Sequence, residues 1–125
     1  MQAYARFRRT SDQVPAARAF VRDTLLRWNE TARLGDAVLV TSELFTNAVL
    51  HGAGSVDVYV TLSPTSLRIA VVDEGQREAA MQAGTLPSTA TTGRGLRIVD
   101  ALASDWGNAH DPTGRTRVWA EVPRR

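Results

Sequence analysis

Two runs that alternate apolar and polar side chains, Val56–Leu62 and Leu67–Val72, are separated only by Ser63-Pro64-Thr65-Ser66. A period of two is the repeat of a half-buried strand, and so short a connection suits a hairpin rather than a crossover helix. Asp105–Ala109 and Thr116–Val122 repeat the arrangement around an Asp-Pro-Thr-Gly turn. Near the start, Tyr4–Arg9 alternates large apolar and basic side chains, as an edge strand does.

Three segments carry the helical repeat instead. Val14, Ala17, Phe20, Val21, Leu25 and Trp28 recur at three- and four-residue steps, with Arg18, Arg22 and Arg27 on the wetter side. Ser11 or Asp12 is the expected cap of this helix, and Pro15 falls in its first turn. A second helical pattern runs from Leu34 to Leu50 and stops at His51-Gly52-Ala53-Gly54. A third runs from Arg94 to Ala103 through Leu96, Ile98, Val99 and Leu102. Gln76–Thr92, small and polar with many threonines, reads as a mobile loop.

Consecutive strands joined by hairpins predict an α+β fold: a two-layer α/β sandwich whose mixed sheet is mainly antiparallel, with its helices packed on one face. No repeat or linker divides the 125 residues, so residues 1–125 form a single domain. Cysteine is absent, which removes disulfides and thiolate metal sites. With no run of signal-peptide or membrane-spanning length, the expectation is a soluble, cytoplasmic chain. The formal charge is only +2, and the 15 basic residues are all arginines scattered along the sequence. That pattern carries no nucleic-acid stripe and no membrane attachment. Without lysine, any phosphate must be held by arginine, backbone amides or a metal ion.

Three segments carry chemistry. In Ser42-Glu43-Leu44-Phe45-Thr46-Asn47-Ala48-Val49-Leu50-His51-Gly52, residues Glu43, Asn47 and His51 stand four apart and line one stripe of a helix, beside the apolar Leu44, Phe45, Ala48 and Val49. The stripe suits a polar site bordering the core. It equally suits a solvated face with His51 and Gly52 as the helix exit. Next, Leu67-Arg68-Ile69-Ala70-Val71-Val72-Asp73-Glu74-Gly75 ends an apolar strand in a carboxylate and a glycine. Asp73 there would accept a hydrogen bond from an exocyclic amine such as adenine N6 and reject a carbonyl, while Gly75 lets the backbone approach a flat ring. A plain strand-to-turn ending is the alternative. Last, Thr91-Thr92-Gly93-Arg94-Gly95-Leu96-Arg97-Ile98-Val99 puts two glycines and an arginine at the entry to a helix, an arrangement that suits an anion. A loop that merely enters a helix is the alternative here.

In order, spacing and residue type, the three segments resemble the N, G1 and G2 boxes of the ATPase superfamily shared by gyrase, heat-shock chaperones, histidine kinases and mismatch-repair proteins. They resemble most the small, free-standing anti-sigma factor serine/threonine kinases. Ser42 to His51 matches that family's Ser-Glu-Leu-x-Thr-Asn-Ala-x-x-His, and Thr91 to Leu96 its Thr-x-Gly-Arg-Gly-Leu. Trp119-Ala120-Glu121-Val122-Pro123 is similar to its final strand, so the likeness runs from Ala16 to Pro123.

The resemblance implies the Bergerat fold of these ATPases, with ATP and magnesium as cofactors. Asn47 would bind the ion, Glu43 would be the general base, and His51 would belong to the same box. Asp73, with Gly75 beneath the ring, would read adenine, supported by Thr116. Thr92, Gly93, Arg94, Gly95 and Leu96 would hold phosphate, under a lid formed by Gln76–Thr92. The implied activity is transfer of phosphate to a serine or threonine of an anti-anti-sigma factor, by a protein that also sequesters a sigma factor. Apart from the resemblance, the Val14–Trp28 helix is a candidate for dimerisation or partner docking through Arg18 and Arg22; the alternative is a helix that simply covers the sheet, with both arginines on a solvated face.

One departure favours a different reading. Gln76-Arg77 follow Gly75 where the family's G1 box, Asp-x-Gly-x-Gly, has a second glycine. Arg77 at that place favours a docking module that holds nucleotide, or none, and has no kinase activity. A detached catalytic subunit working beside a histidine-bearing protein is the third possibility.

Overall fold

The computed structural model describes residues 1–75 and 90–124, with residues 90–95 described in backbone only. The strands are β1 (Gln2–Phe7), β2 (Val56–Leu62), β3 (Ser66–Asp73), β4 (Asp105–His110) and β5 (Thr116–Pro123). The helices are α1 (Val14–Arg27), α2 (Leu34–His51) and α3 (Ala90–Leu102). The sheet order is β1-β2-β3-β5-β4, and every pairing is antiparallel. The expected sheet was mainly antiparallel; among the described residues it is wholly so, because no strand returns by a crossover to a parallel neighbour.

Side-chain parity decides what the sheet buries. Val56, Val58 and Val60 of β2, Leu67, Ile69 and Val71 of β3, and Val118, Ala120 and Val122 of β5 form the core with all three helices. From α2 come Val40, Leu44 and Phe45, from α1 Val21 and Leu25, and from α3 Leu96 and Val99. Phe7 meets Phe45 edge-on at 5.7 Å and Phe20 at 6.2 Å, which seats β1 against α1 and α2. Two polar residues are tolerated at zero exposure because each bonds one turn back: Thr24 Oγ1 donates to Phe20 O at 2.7 Å and Thr41 Oγ1 to Ala37 O at 2.8 Å.

Opposite the helices, the chain covers its own sheet. The Arg68 guanidinium lies 4.3 Å above the Trp119 ring, and Tyr4 stacks on Tyr59 at 5.0 Å. Asp57, 3% exposed, accepts Arg6 Nε at 2.8 Å, Tyr4 Oη at 3.1 Å and an Arg115 terminal nitrogen at 3.3 Å. One carboxylate on β2 thus gathers β1 and the β4–β5 turn.

Three expectations change. Neither Ser11 nor Asp12 caps α1: Ser11–Gln13 form a 3₁₀ turn, closed by Gln13 N–H to Thr10 O at 3.0 Å, and Asp12 is bonded by Thr10 Oγ1 instead. The edge strand is Gln2–Phe7 rather than Tyr4–Arg9, since Arg9 leaves the sheet to donate to Val49 O at the end of α2. Finally, α3 starts at Ala90 rather than Arg94, so Gly93 and Gly95 lie inside the helix and not ahead of it. Periodicity reveals only turns that bury an apolar side, and Ala90-Thr91-Thr92-Gly93 has no large apolar residue to mark one. The expected lid, with Arg77, falls at residues 76–89, outside the described residues, apart from its last positions in α3.

The β4–β5 turn is held by Asp111, whose Oδ1 accepts Thr113 Oγ1 at 2.6 Å and the backbone N–H groups of Thr113 and Arg115, both at 2.9 Å. Its Oδ2 accepts Arg115 Nε at 2.8 Å. These bonds, the Thr113 hydroxyl first, lower the Asp111 carboxyl from 3.8 to about 2. A depressed carboxyl contributes stability above its unfolded value and loses it as pH falls through the folded one. Thermal midpoints should therefore fall between pH 4 and 2, and Asp111→Asn should flatten that slope while lowering the midpoint at neutral pH. Parallel wild-type and variant slopes would remove Asp111 from the account.

Candidate functional site

Helix α2 turns its apolar stripe to the sheet and carries Glu43, Asn47 and His51 on the bordering one. Glu43 is half-buried, Asn47 is 8% exposed and His51 is exposed. The row therefore climbs out of the core, with only Asn47 desolvated. Its Nδ2 is buried and without a hydrogen-bond partner among the described residues. An orphaned buried donor costs about 1–3 kcal/mol. A solvated helix face does not describe Asn47, whose buried Nδ2 finds no acceptor among the described residues.

Asp73 closes β3 on the same side of the sheet and is 1% exposed. It pairs in register with Thr116, which is fully buried, and Thr116 Oγ1 donates to Gly75 O at 2.5 Å. Asp73 Oδ1 accepts the N–H of Gly75 at 2.7 Å and that of Ala53 at 3.4 Å. The exit of α2 is stitched to the exit of β3: Glu74 N–H donates to Ala53 O at 2.9 Å, and Glu74 Oε2 accepts Ser55 N–H at 3.0 Å. Gly52 makes this approach possible. A Cβ there would lie 2.5 Å from Ala48 O and 2.6 Å from Asp73 Cγ. Gly75 is equally crowded, its Cβ position being 2.8 Å from Asp73 Oδ1.

The fold thus brings Asp73, Gly75 and Thr116 together beside the end of α2, with Asn47 on the turn before Gly52. Leu96 sits in the core at 2% exposure, on α3. The side chains of Thr92, Arg94 and the residues around them lie outside the described set, although their backbone is in α3. On α1, Arg18 and Arg22 are both exposed, Arg22 being 3.8 Å from Asp23. Sequence reasoning assigned Gly52 only the role of helix exit. Its packing on Asp73 joins positions far apart in the chain, and nothing in local composition marks it.

The profile of the histidine kinase-like ATPase domain matches residues 7–121, nearly the whole chain. The chain belongs to this family. Among curated proteins none matches it. As a histidine kinase-like ATPase domain it is a nucleotide-binding, ATPase-like module of the superfamily to which its three motifs point.

The residues present fit that ligand. Asp73 offers a carboxylate pinned by two backbone donors, and a carboxylate selects an amine edge over a carbonyl. No group of three or more His, Asp or Glu among the described residues could hold a metal alone. A metal in this histidine kinase-like ATPase domain would rest on few protein atoms and on the ligand's phosphates, as magnesium does. Among the described residues no helix is long and apolar enough to cross a membrane.

Proposed function

We propose that the chain is an anti-sigma regulator that binds ATP with magnesium and phosphorylates a serine or threonine of an anti-anti-sigma partner. The observation that carries this reading is the α2 stripe, in which half-buried Glu43 stands one turn from buried Asn47, whose Nδ2 has no hydrogen-bond partner among the described residues. A module that only docks a partner has no need of a carboxylate at that border. Bound magnesium nucleotide supplies the phosphoryl group and neutralises its charge. The chain's own residues position and move protons. Asp73, Gly75 and Thr116 would fix the base, and the side-chain oxygen of Asn47 would hold the ion. Glu43 would take the proton of the attacking hydroxyl as the hydroxyl oxygen bonds to the γ-phosphorus and the bond from that phosphorus to the bridging oxygen breaks, releasing ADP. Arg18 and Arg22 of α1, both exposed, are proposed for docking either protein partner or a second copy.

The test is calorimetric titration with ATP, with and without magnesium, beside Asn47→Ala. Wild type should bind in a magnesium-dependent way and the variant should lose most of that binding, about tenfold or more. Binding by wild type alone then justifies a transfer assay on candidate serine-bearing partners, with Glu43→Gln as the inactive control. No heat from either protein would sink the ATP-dependent reading and leave a docking module.

A further inference from the structure

β4 contains a polar residue where its alternation calls for an apolar one. Trp106 is buried and packs in the core, and Asn108, two residues on, shares its parity and pairs with the core residue Val118. Asn108 therefore faces the helices. Its Oδ1 and its Nδ2 are both buried, and neither has a hydrogen-bond partner among the described residues. An amide with both ends desolvated and unpaired is costly, and interiors rarely tolerate it without a partner from outside the chain. Valine, as at Val58 and Val71 in the same row of the sheet, would serve packing better.

What lies next to this amide gives it a use. Thr116 precedes Val118 by two on β5 and faces the same side, which makes it the diagonal cross-strand neighbour of Asn108, roughly 7 Å away. Asp73 pairs with Thr116 on the next strand. Asn108, Thr116 and Asp73 thus run obliquely across three strands on the helix-facing side, below the α2 end that carries Asn47. Trp106, whose Nε1 donates to Asp100 on α3 at 2.7 Å, ties β4 to the helix over this region.

We infer that Asn108 is a second base-reading residue, its amide pairing with the purine edge beside the one read by Asp73. An amide presents a donor and an acceptor side by side, the pattern that matches the N6 and N7 edge of adenine. This rests on the ATP reading above. It adds that selectivity for the base is shared between a carboxylate on β3 and an amide on β4.

Asn108→Val separates this role from a structural one. Removing an unsatisfied amide should leave the ligand-free protein as stable as wild type or more so, while ATP affinity falls about tenfold or more. Inorganic tripolyphosphate, which lacks the base, should compete equally well against both proteins. Unchanged ATP affinity in the variant would overturn the inference and leave the ATP reading standing, with a buried water as the partner of Asn108. Equal losses for ATP and tripolyphosphate, or a lowered melting temperature, would also overturn it in favour of a packing role. Failure of wild type itself to bind ATP would overturn both.

Discussion

Asp73→Asn should bind ATP about a hundredfold more weakly than wild type and should narrow or reverse the preference for ATP over GTP. The substitution keeps an oxygen for the Gly75 and Ala53 N–H groups, which lie 2.7 and 3.4 Å from Oδ1, so the α2 and β3 exits stay joined. It changes the second oxygen into an NH₂ donor. That donor opposes the adenine amine and suits the guanine carbonyl. Calorimetric titration with both nucleotides measures the effect, and a thermal melt close to wild type certifies the fold. If the variant binds ATP as wild type does, the base is not read at Asp73.

Phe45→Ala should cost about 3–5 kcal/mol, a large share of the stability of a domain this size, and lower the melting temperature by roughly 10–30 °C. Phe45 has no exposed surface and holds the edge contact with Phe7. Its removal opens a cavity where β1, α1 and α2 meet, and the antiparallel sheet beneath is too well paired to collapse into it. Phe20→Ala should cost less, because Phe20 is only partly buried and loses one ring contact at 6.2 Å. Denaturant unfolding of the two variants in parallel checks the order. Equal losses would mean that the core closes over the Phe45 site.

Much of this molecule was legible in its sequence, and the reasons differ by element. The β2–β3 hairpin was readable because Val56, Val58 and Val60 obey a period of two up to a short turn, and the structure starts and ends β2 at the predicted residues. Helix α2 was readable because its apolar stripe spans many turns, and its start at Leu34 matches. The N-terminal cap of α1 was not, since Asp12 and Ser11 entered a 3₁₀ turn that competes for the same backbone donors. α1 ends where Asn29 adopts a left-handed conformation, φ 56°, and no glycine advertised it.

For the site, residue types announced Asn47 and Asp73, but only the fold shows that Asn47 is desolvated and that Asp73 stands in register with Thr116. Asn108 carried a readable signal, a polar residue at the parity of Trp106, which gains meaning only once Val118 is placed opposite. Asp57 was hidden more deeply. Alternation puts it on the outer face, where a carboxylate is expected to be wet, and its burial comes from Arg6 and Arg115, 51 and 58 residues away.

The crowding of Gly52, Asp73 and Gly75 has an evolutionary side. A side chain at either glycine strikes the same carboxylate, so the three positions share one volume although 23 residues of chain separate the first from the last. A lineage that drifts to alanine at Gly52 must shrink or reorient Asp73 to accommodate it, and with that it gives up the group proposed to tell one base from another. The exit of a helix and the choice of a ligand are therefore inherited together. A descendant of this chain would be expected to lose both or keep both.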